Sequence, residues 1–222
     1  MPSGPVFRRS PAAPLRRVRR RAGGPRALPH GARRPPYRLA MTKRYAALLR
    51  GINVGGKKKV PMPELRSLLA ELGHRDIATY LQSGNAVFSS AAGDERTLAA
   101  GIEEAVEQTF GFRVDTLVRG GAYLWAVADA CPFPAHTLQG RQLHVTFLSE
   151  RLPPERLASV DAAALLPEEF RLGDRAMYLY TPEGLGRSKL AELLGRPSLF
   201  KGVVATSRNW NTVVKLVEMT RD

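Results

Sequence analysis

From residue 41 onward the apolar positions recur with two different periods, and together they lay out alternating strands and helices. Residues 45–49 form a short apolar run ending in Arg50 and Gly51, the pattern of a buried strand entering a loop. Pro61 and Pro63 suit the first turn of a helix, where a missing N–H costs nothing. Leu65, Leu68, Leu69 and Leu72 then recur at helical spacing, and Gly73 is a suitable C-terminal cap. Strands are expected over 77–81 and 86–88, around the turn cluster 82-QSGN-85. Asp94 is placed to cap a second helix whose inward residues are Leu98, Ile102, Ala105, Val106 and Phe110. Residues 112–118 alternate, with Phe112, Val114, Thr116 and Val118 on one face of a strand. The order is β-α-β-β-α-β, the ferredoxin-like split unit.

The second half repeats this order more loosely. A helix is expected over 123–130 and a strand over 143–148 with Leu143, Val145 and Phe147 on one face. A helix over 154–160 follows, then a hairpin of strands 170–172 and 177–180 around Gly173 and Asp174. Residues 185–194 read as a helix ended by Gly195, and 203–205 as a short strand. Thr206 or Ser207 is expected to cap a last helix with Trp210, Val213, Val214 and Val217 inward. The fold class is therefore α+β: two ferredoxin-like halves, 41–120 and 121–222, preceded by an arm, 1–40. The echo between the halves is structural, with no repeat in the sequence itself.

Charge changes the picture less than it first suggests. The net charge is +14, but residues 1–40 hold eleven Arg, no Lys and no acid, so 34 − 11 leaves 23 basic residues against 20 acidic ones in the rest. A balance of about +3 over 182 residues says little about partners. The arm also carries eight of the 17 prolines, too many for a continuous helix and with too little apolar surface to fold alone, so disorder is expected. It has no apolar core of a secretory signal. Met41 opens a segment running directly into the first strand and is the expected natural start, with 1–40 as an over-extended reading frame. The single cysteine, Cys131, permits no intrachain disulfide and fits a reducing, cytoplasmic setting. No run of 18 apolar residues exists, so no transmembrane helix and no membrane partner is expected.

Four strings carry candidate chemistry. Gly51-x4-Gly56-Lys57 matches the start of a phosphate loop, but Lys58 stands where a Ser or Thr would bind magnesium, and the prolines delay the helix to about residue 61. A triphosphate-hydrolysing loop is thereby disfavoured. What survives is an anion-holding turn in which Gly51, Gly55 and Gly56 free backbone N–H groups and Lys57–Lys59 supply charge. The second string, Ser83-Gly84-Asn85, is ordinary turn chemistry that gains interest only if it lies beside the first loop. In the third, 206-TSRNWNTVVKL-216, Arg208, Thr212 and Lys215 are expected on one helical face, and Asn209 and Asn211 near a helix start suit capping or an anion. The fourth, 186-GRSKL-190, places Lys189 near a helix start. The four histidines show no metal-ligand spacing, no cofactor motif is present, and no aromatic platform for RNA is visible.

These strings, written in full as YAALLRGINVGGKKKVPMPELRSLL, TYLQSGNAVF, GRSKL and TSRNWNTVVKL, resemble the bacterial domain-of-unknown-function family 1697 from about Met41 to Met219. The resemblance implies an α+β fold of two intertwined ferredoxin-like halves and no established activity. The family's recurrent residues map to Arg50, Gly51, Asn53, Gly55, Gly56 and Lys57, to Ser83, Gly84 and Asn85, to Lys189, and to Arg208, Asn209, Trp210, Asn211, Thr212 and Lys215. Two departures stand out: the Arg/Pro arm, and Cys131-Pro132-Phe133 where Asn-Pro-Phe is more usual.

Three functions fit these residues. The first is binding of a phosphate-bearing ligand, either a nucleotide or a nucleic-acid segment. The second is an enzyme on a small anionic substrate, disfavoured because no general base is evident. The third is a structural or protein-interaction module whose glycines and asparagines are turn and cap devices. No protein partner is named by any motif.

Overall fold

A computed structural model describes residues 42–91 and 93–221, which belong to one compact unit, Ala40–Asp222. The predicted arm and the predicted start at Met41 lie outside the described residues. Eight strands form two four-stranded antiparallel sheets, and five α-helices lie among the described residues. The first sheet has the order β2-β3-β1-β4, built from β1 (Lys43–Leu49), β2 (Arg75–Tyr80), β3 (Asn85–Ser90) and β4 (Thr116–Gly120). Helices α1 (Met62–Glu71) and α2 (Glu95–Phe110) make its two crossovers. After α3 (Gly121–Asp129) the second sheet repeats the order as β6-β7-β5-β8, from β5 (Leu143–Leu148), β6 (Glu169–Gly173), β7 (Ala176–Tyr180) and β8 (Ala205–Asn209). Its crossovers are weaker: two 3-10 turns, then the six-residue α4 (Lys189–Leu194). Helix α5 (Trp210–Met219) closes the chain.

Strands β1 and β5 are buried on both faces; β1 accordingly contains the apolar run YAALL, whereas β5, LHVTFL, alternates and carries His144 and Thr146 on its outer face. One core lies beneath α1 and α2 and holds Tyr45, Ala47, Leu49, Phe88, Ile102 and Val118. A central core joins the inner faces of both sheets to α3 and α5 through Ala46, Leu48, Val145, Phe147, Leu124 and Leu216. A third lies under α4, where Leu148, Met177 and Leu179 meet Leu190 and Leu194. Local signals work as expected in the first half. Asp94 accepts a hydrogen bond from Thr97 N at 2.8 Å as N-cap of α2, and Gly73 follows α1 at φ 84°.

Six expectations are corrected. Strand β4 begins at Thr116, not at Phe112, because the Thr116 N–H goes to the Glu103 carboxylate at 2.6 Å and Phe112 stacks back on Phe110. The helix expected over 154–160 is only a 3-10 turn, Pro154–Leu157, since one buried residue cannot offset helix nucleation. The helix expected over 185–194 is interrupted by Ser188, which is extended and caps α4 by accepting from Ala191 N at 2.8 Å. The last strand is longer and later than 203–205. It runs through Thr206, Ser207 and Arg208 to Asn209, because these residues pair with β5. The cap of α5 is therefore Asn209, accepting from Thr212 N at 2.9 Å, and neither Thr206 nor Ser207. On α5 itself Val213, Leu216 and Val217 are buried, Trp210 is half-buried, and Val214 is 38% exposed rather than inward.

Candidate functional site

The Gly/Lys segment forms a short hairpin projecting between β1 and α1. Val54 pairs with Lys57, whose N–H donates to Val54 O at 3.2 Å, and Gly55 and Gly56 occupy the two central positions at φ 60° and 76°. Two positive φ values in succession are what a type I′ turn requires and are why both positions are glycine. The hairpin is held from inside by Asn53, itself at φ 56°. Its Oδ1 accepts from Val60 N at 2.9 Å, and its Nδ2 donates to Val60 O at 2.9 Å and Gln82 O at 2.8 Å. Asn53 is thus a latch on its own loop. Around it Lys57, Lys58 and Lys59 are exposed. Lys58 Nζ donates to Arg113 O at 2.7 Å, and Arg50 pairs with Asp115 at 3.0 Å. A second loop, 111–115, is thereby tied to the first.

The Ser83-Gly84-Asn85 turn does lie beside this loop. Leu49 N donates to Gly84 O at 2.8 Å. A Cβ on Gly84, at φ 78°, would fall 2.9 Å from Leu49 Cβ, so only glycine fits. Asn85 is fully buried and donates to Tyr80 O and Ser83 Oγ, both at 3.0 Å. Its free Oδ1 receives Arg208 Nε at 2.5 Å.

Arg208 does not share a helical face with Thr212 and Lys215, because it sits on β8 and is only 8% exposed. Nη1 donates to Thr206 Oγ1 at 2.8 Å and Ser207 O at 2.9 Å. Nη2 donates to Leu49 O at 2.9 Å and Gly84 O at 3.4 Å. With the bond to Asn85 this uses all five guanidinium donors on neutral acceptors. Burial pushes its pKa down to about 10, so it remains a cation at neutral pH. The side chain clasps the second sheet to the ends of β1 and β3, with no donor left for a ligand.

The remaining residues do not gather here. Asn209 is spent on its cap, and Asn211 packs against Gly140, where a Cβ would clash at 2.3 Å. Lys215 pairs with Glu218 at 3.0 Å, and Lys189 is exposed on the first turn of α4.

A second clasp was not legible in the sequence. Arg119 of β4 has a side chain 4% exposed. Its Nη2 donates to Leu148 O at 2.5 Å, and its Nη1 donates to Val118 O at 2.8 Å and Glu95 Oε2 at 3.2 Å. Its Nε is buried without a partner, and burial lowers its pKa. Tyr123 lies between Arg119 and Arg175, at 5.3 and 4.8 Å from ring centroid to guanidinium. The one available signal was a cation inside an apolar strand, 116-TLVRG-120, and that pattern is equally common on solvated edges.

Comparison with known proteins agrees with this architecture. The conserved bacterial protein SP0830 from Streptococcus pneumoniae has a solved structure similar to this one, with a TM-score of 0.66 and 27% identity, covering 81% of this chain and 99% of that one. No curated protein matches the chain. The family described as "Protein of unknown function (DUF1697)" matches residues 41–178, which include the hairpin, the Ser83-Gly84-Asn85 turn and Arg119 but stop short of Arg208. By that match over more than half its length, the chain belongs to the DUF1697 family.

Proposed function

We propose that the protein binds a phosphate-bearing, anionic ligand at the hairpin face formed by loops 50–60 and 111–115. One observation carries this reading: exposed Lys57 and Lys59 rise from a turn whose backbone Asn53 locks with three side-chain hydrogen bonds. Flexible surface lysines lose entropy when they order around an anion. A loop already fixed in place loses less, and its exposed Gly55 and Gly56 leave room for close backbone approach. Arg50 extends the same face. Asp115 and Glu107, paired with Arg50 and Arg113, are the carboxylates that temper it. Arg208 and Asn85 belong to the scaffold beneath the face rather than to the ligand contacts.

The test is a thermal-shift and titration series with pyrophosphate, nucleoside triphosphates, short RNA and short DNA at low and moderate salt. A ligand at about 100 times its dissociation constant adds about 2.7 kcal/mol, a shift of a few degrees. The double variant Lys57→Glu/Lys59→Glu is expected to abolish that shift while leaving the melting temperature of the free protein unchanged. Undiminished binding in the double variant refutes the reading. A salt slope spanning several charges favours a nucleic-acid segment, and a shallow slope favours a nucleotide.

A further inference from the structure

The two sheets differ sharply at one equivalent register position. In the first sheet Ala47 of β1 stands opposite Val118 of β4, and both are buried beneath the helices. Each lies two residues in from an end set by the same pairing (Leu49 opposite Thr116). In the second sheet the same count from Leu148 opposite Ala205 gives Thr146 opposite Ser207. Two hydroxyls, bonded to each other at 2.7 Å, replace an apolar pair. Thr146 is only 6% exposed. Ser207, on the edge strand, is exposed, so the burial cost falls on the Thr146 hydroxyl, which Ser207 offsets.

These hydroxyls line a 220 Å³ cavity, together with Met177, Leu179, Leu194 and Phe200. The cavity exists because the outer face of the second sheet is under-covered. The 10-residue α1 and 16-residue α2 serve the first sheet, whereas the six-residue α4 and 3-10 turns serve the second. Among the described residues lining it, Arg50 alone is charged, and it comes from the hairpin loop of the other half. Among the described residues only Nη1 of the Arg50 guanidinium is engaged, with Asp115, in an exposed pair of the weak kind. Next along the same face of β5 as Thr146 is His144, whose buried Nδ1 has no partner.

We propose that this cavity binds a small amphiphilic carboxylate, its apolar body against Met177, Leu179, Leu194 and Phe200 and its carboxylate on the free edge of the Arg50 guanidinium. The Thr146–Ser207 hydroxyl pair supplies an orienting hydrogen bond. The volume holds about seven groups the size of a water molecule, a small site by the standards of ligand pockets. Hexanoate and phenylacetate are of that size. The inference touches the anion reading above through Arg50 alone.

The experiment titrates the full chain with hexanoate, following backbone amide shifts, with hexanol as the neutral probe and pyrophosphate as the apolar-free anion. Saturable shifts at Thr146, Ser207 and Leu194 are expected. Filling the cavity by Ala191→Leu or by Ala205→Leu is expected to weaken hexanoate at least about tenfold, and either variant suffices if the other folds poorly. Arg50→Gln is expected to weaken hexanoate about tenfold and leave hexanol unchanged. Shifts that never saturate, or equal affinity in the filled variants, overturn the inference. So does an Arg50→Gln protein that binds hexanoate as tightly as the wild type. Cavity-sensitive hexanoate binding without pyrophosphate binding supports the inference and removes the hairpin reading. Pyrophosphate binding lost in Lys57→Glu/Lys59→Glu, with no hexanoate site, does the reverse.

Discussion

Arg119 stands opposite Ala46, three residues before β1 ends, and Arg208 stands opposite Val145, three residues before β5 ends. Each reaches out of its own sheet to the last strand carbonyl of the other: Arg119 to Leu148 O, Arg208 to Leu49 O. The two halves are thus riveted by one device used twice, in opposite directions. The surroundings differ. Arg208 spends every donor on neutral oxygens, led by Asn85. Arg119 leans on a carboxylate, Glu95, which it shares with Arg175, and on the ring of Tyr123, while its Nε goes unpaired. A buried cation can be held by dipoles or by charge. The first arrangement depends wholly on geometry, and the second tolerates an imperfect fit because Coulomb attraction falls off slowly.

The largest expected effect comes from breaking the tighter clasp. Arg208→Met should destabilise by about 4 kcal/mol in urea unfolding, since it takes the guanidinium donor from the buried Asn85 Oδ1 and from the buried Leu49 carbonyl. Arg208→Lys, with three donors in place of five, should recover about half of that. If both variants stay within about 1 kcal/mol of wild type, Arg208 is not the rivet the contacts describe. Arg119→Met should cost less, about 2–3 kcal/mol, because Glu95 keeps Arg175 and one donor was already unpaired. A reversed order of the two variants would overturn the comparison.

The third expectation concerns the outer faces. Tyr45 and His144 hold equivalent positions, opposite Gly120 and Asn209, and each keeps a buried polar atom without a partner. Burial lowers His144 from 6.5 to about 4, so the fold favours its neutral form. The unfolded chain binds the proton first as pH falls. The stability contribution is therefore complete above about pH 6.5 and declines toward pH 4, with about 2 kcal/mol lost by pH 5. His144→Phe should flatten that part of the pH–stability curve. His74, also lowered by burial, is present in both proteins and cancels from the difference.

Much of the first half was legible because its signals are local. Leucine spacing on α1, the Asp94 cap and the turn glycines each concern neighbours within one or two turns. The second half was less so. Its crossovers are short, and 206-TSRN-209 satisfies a helix-cap pattern as well as it satisfies an edge strand. Among candidate site residues, the placement of Asn85 beside the hairpin loop depended on a turn whose neighbour is remote in sequence, and Arg119 carried no distinguishing pattern. Thr146 and Ser207 read as unremarkable strand residues until their pairing across 61 positions is known.

Taken alone, the sequence determined the α+β class, the buried first strand, and a glycine turn too irregular for a triphosphate loop. Those follow from hydrophobic period and backbone φ, which neighbouring residues dictate. The tertiary structure decided what each polar residue is for. It made Asn53 a latch, Arg208 and Arg119 reciprocal clasps, and Arg50 the rim of a cavity in the opposite half. A buried hydrogen bond takes its partner from whatever backbone the fold brings near, here 159 residues away for Arg208 and Leu49, and periodicity along the chain carries no record of that distance.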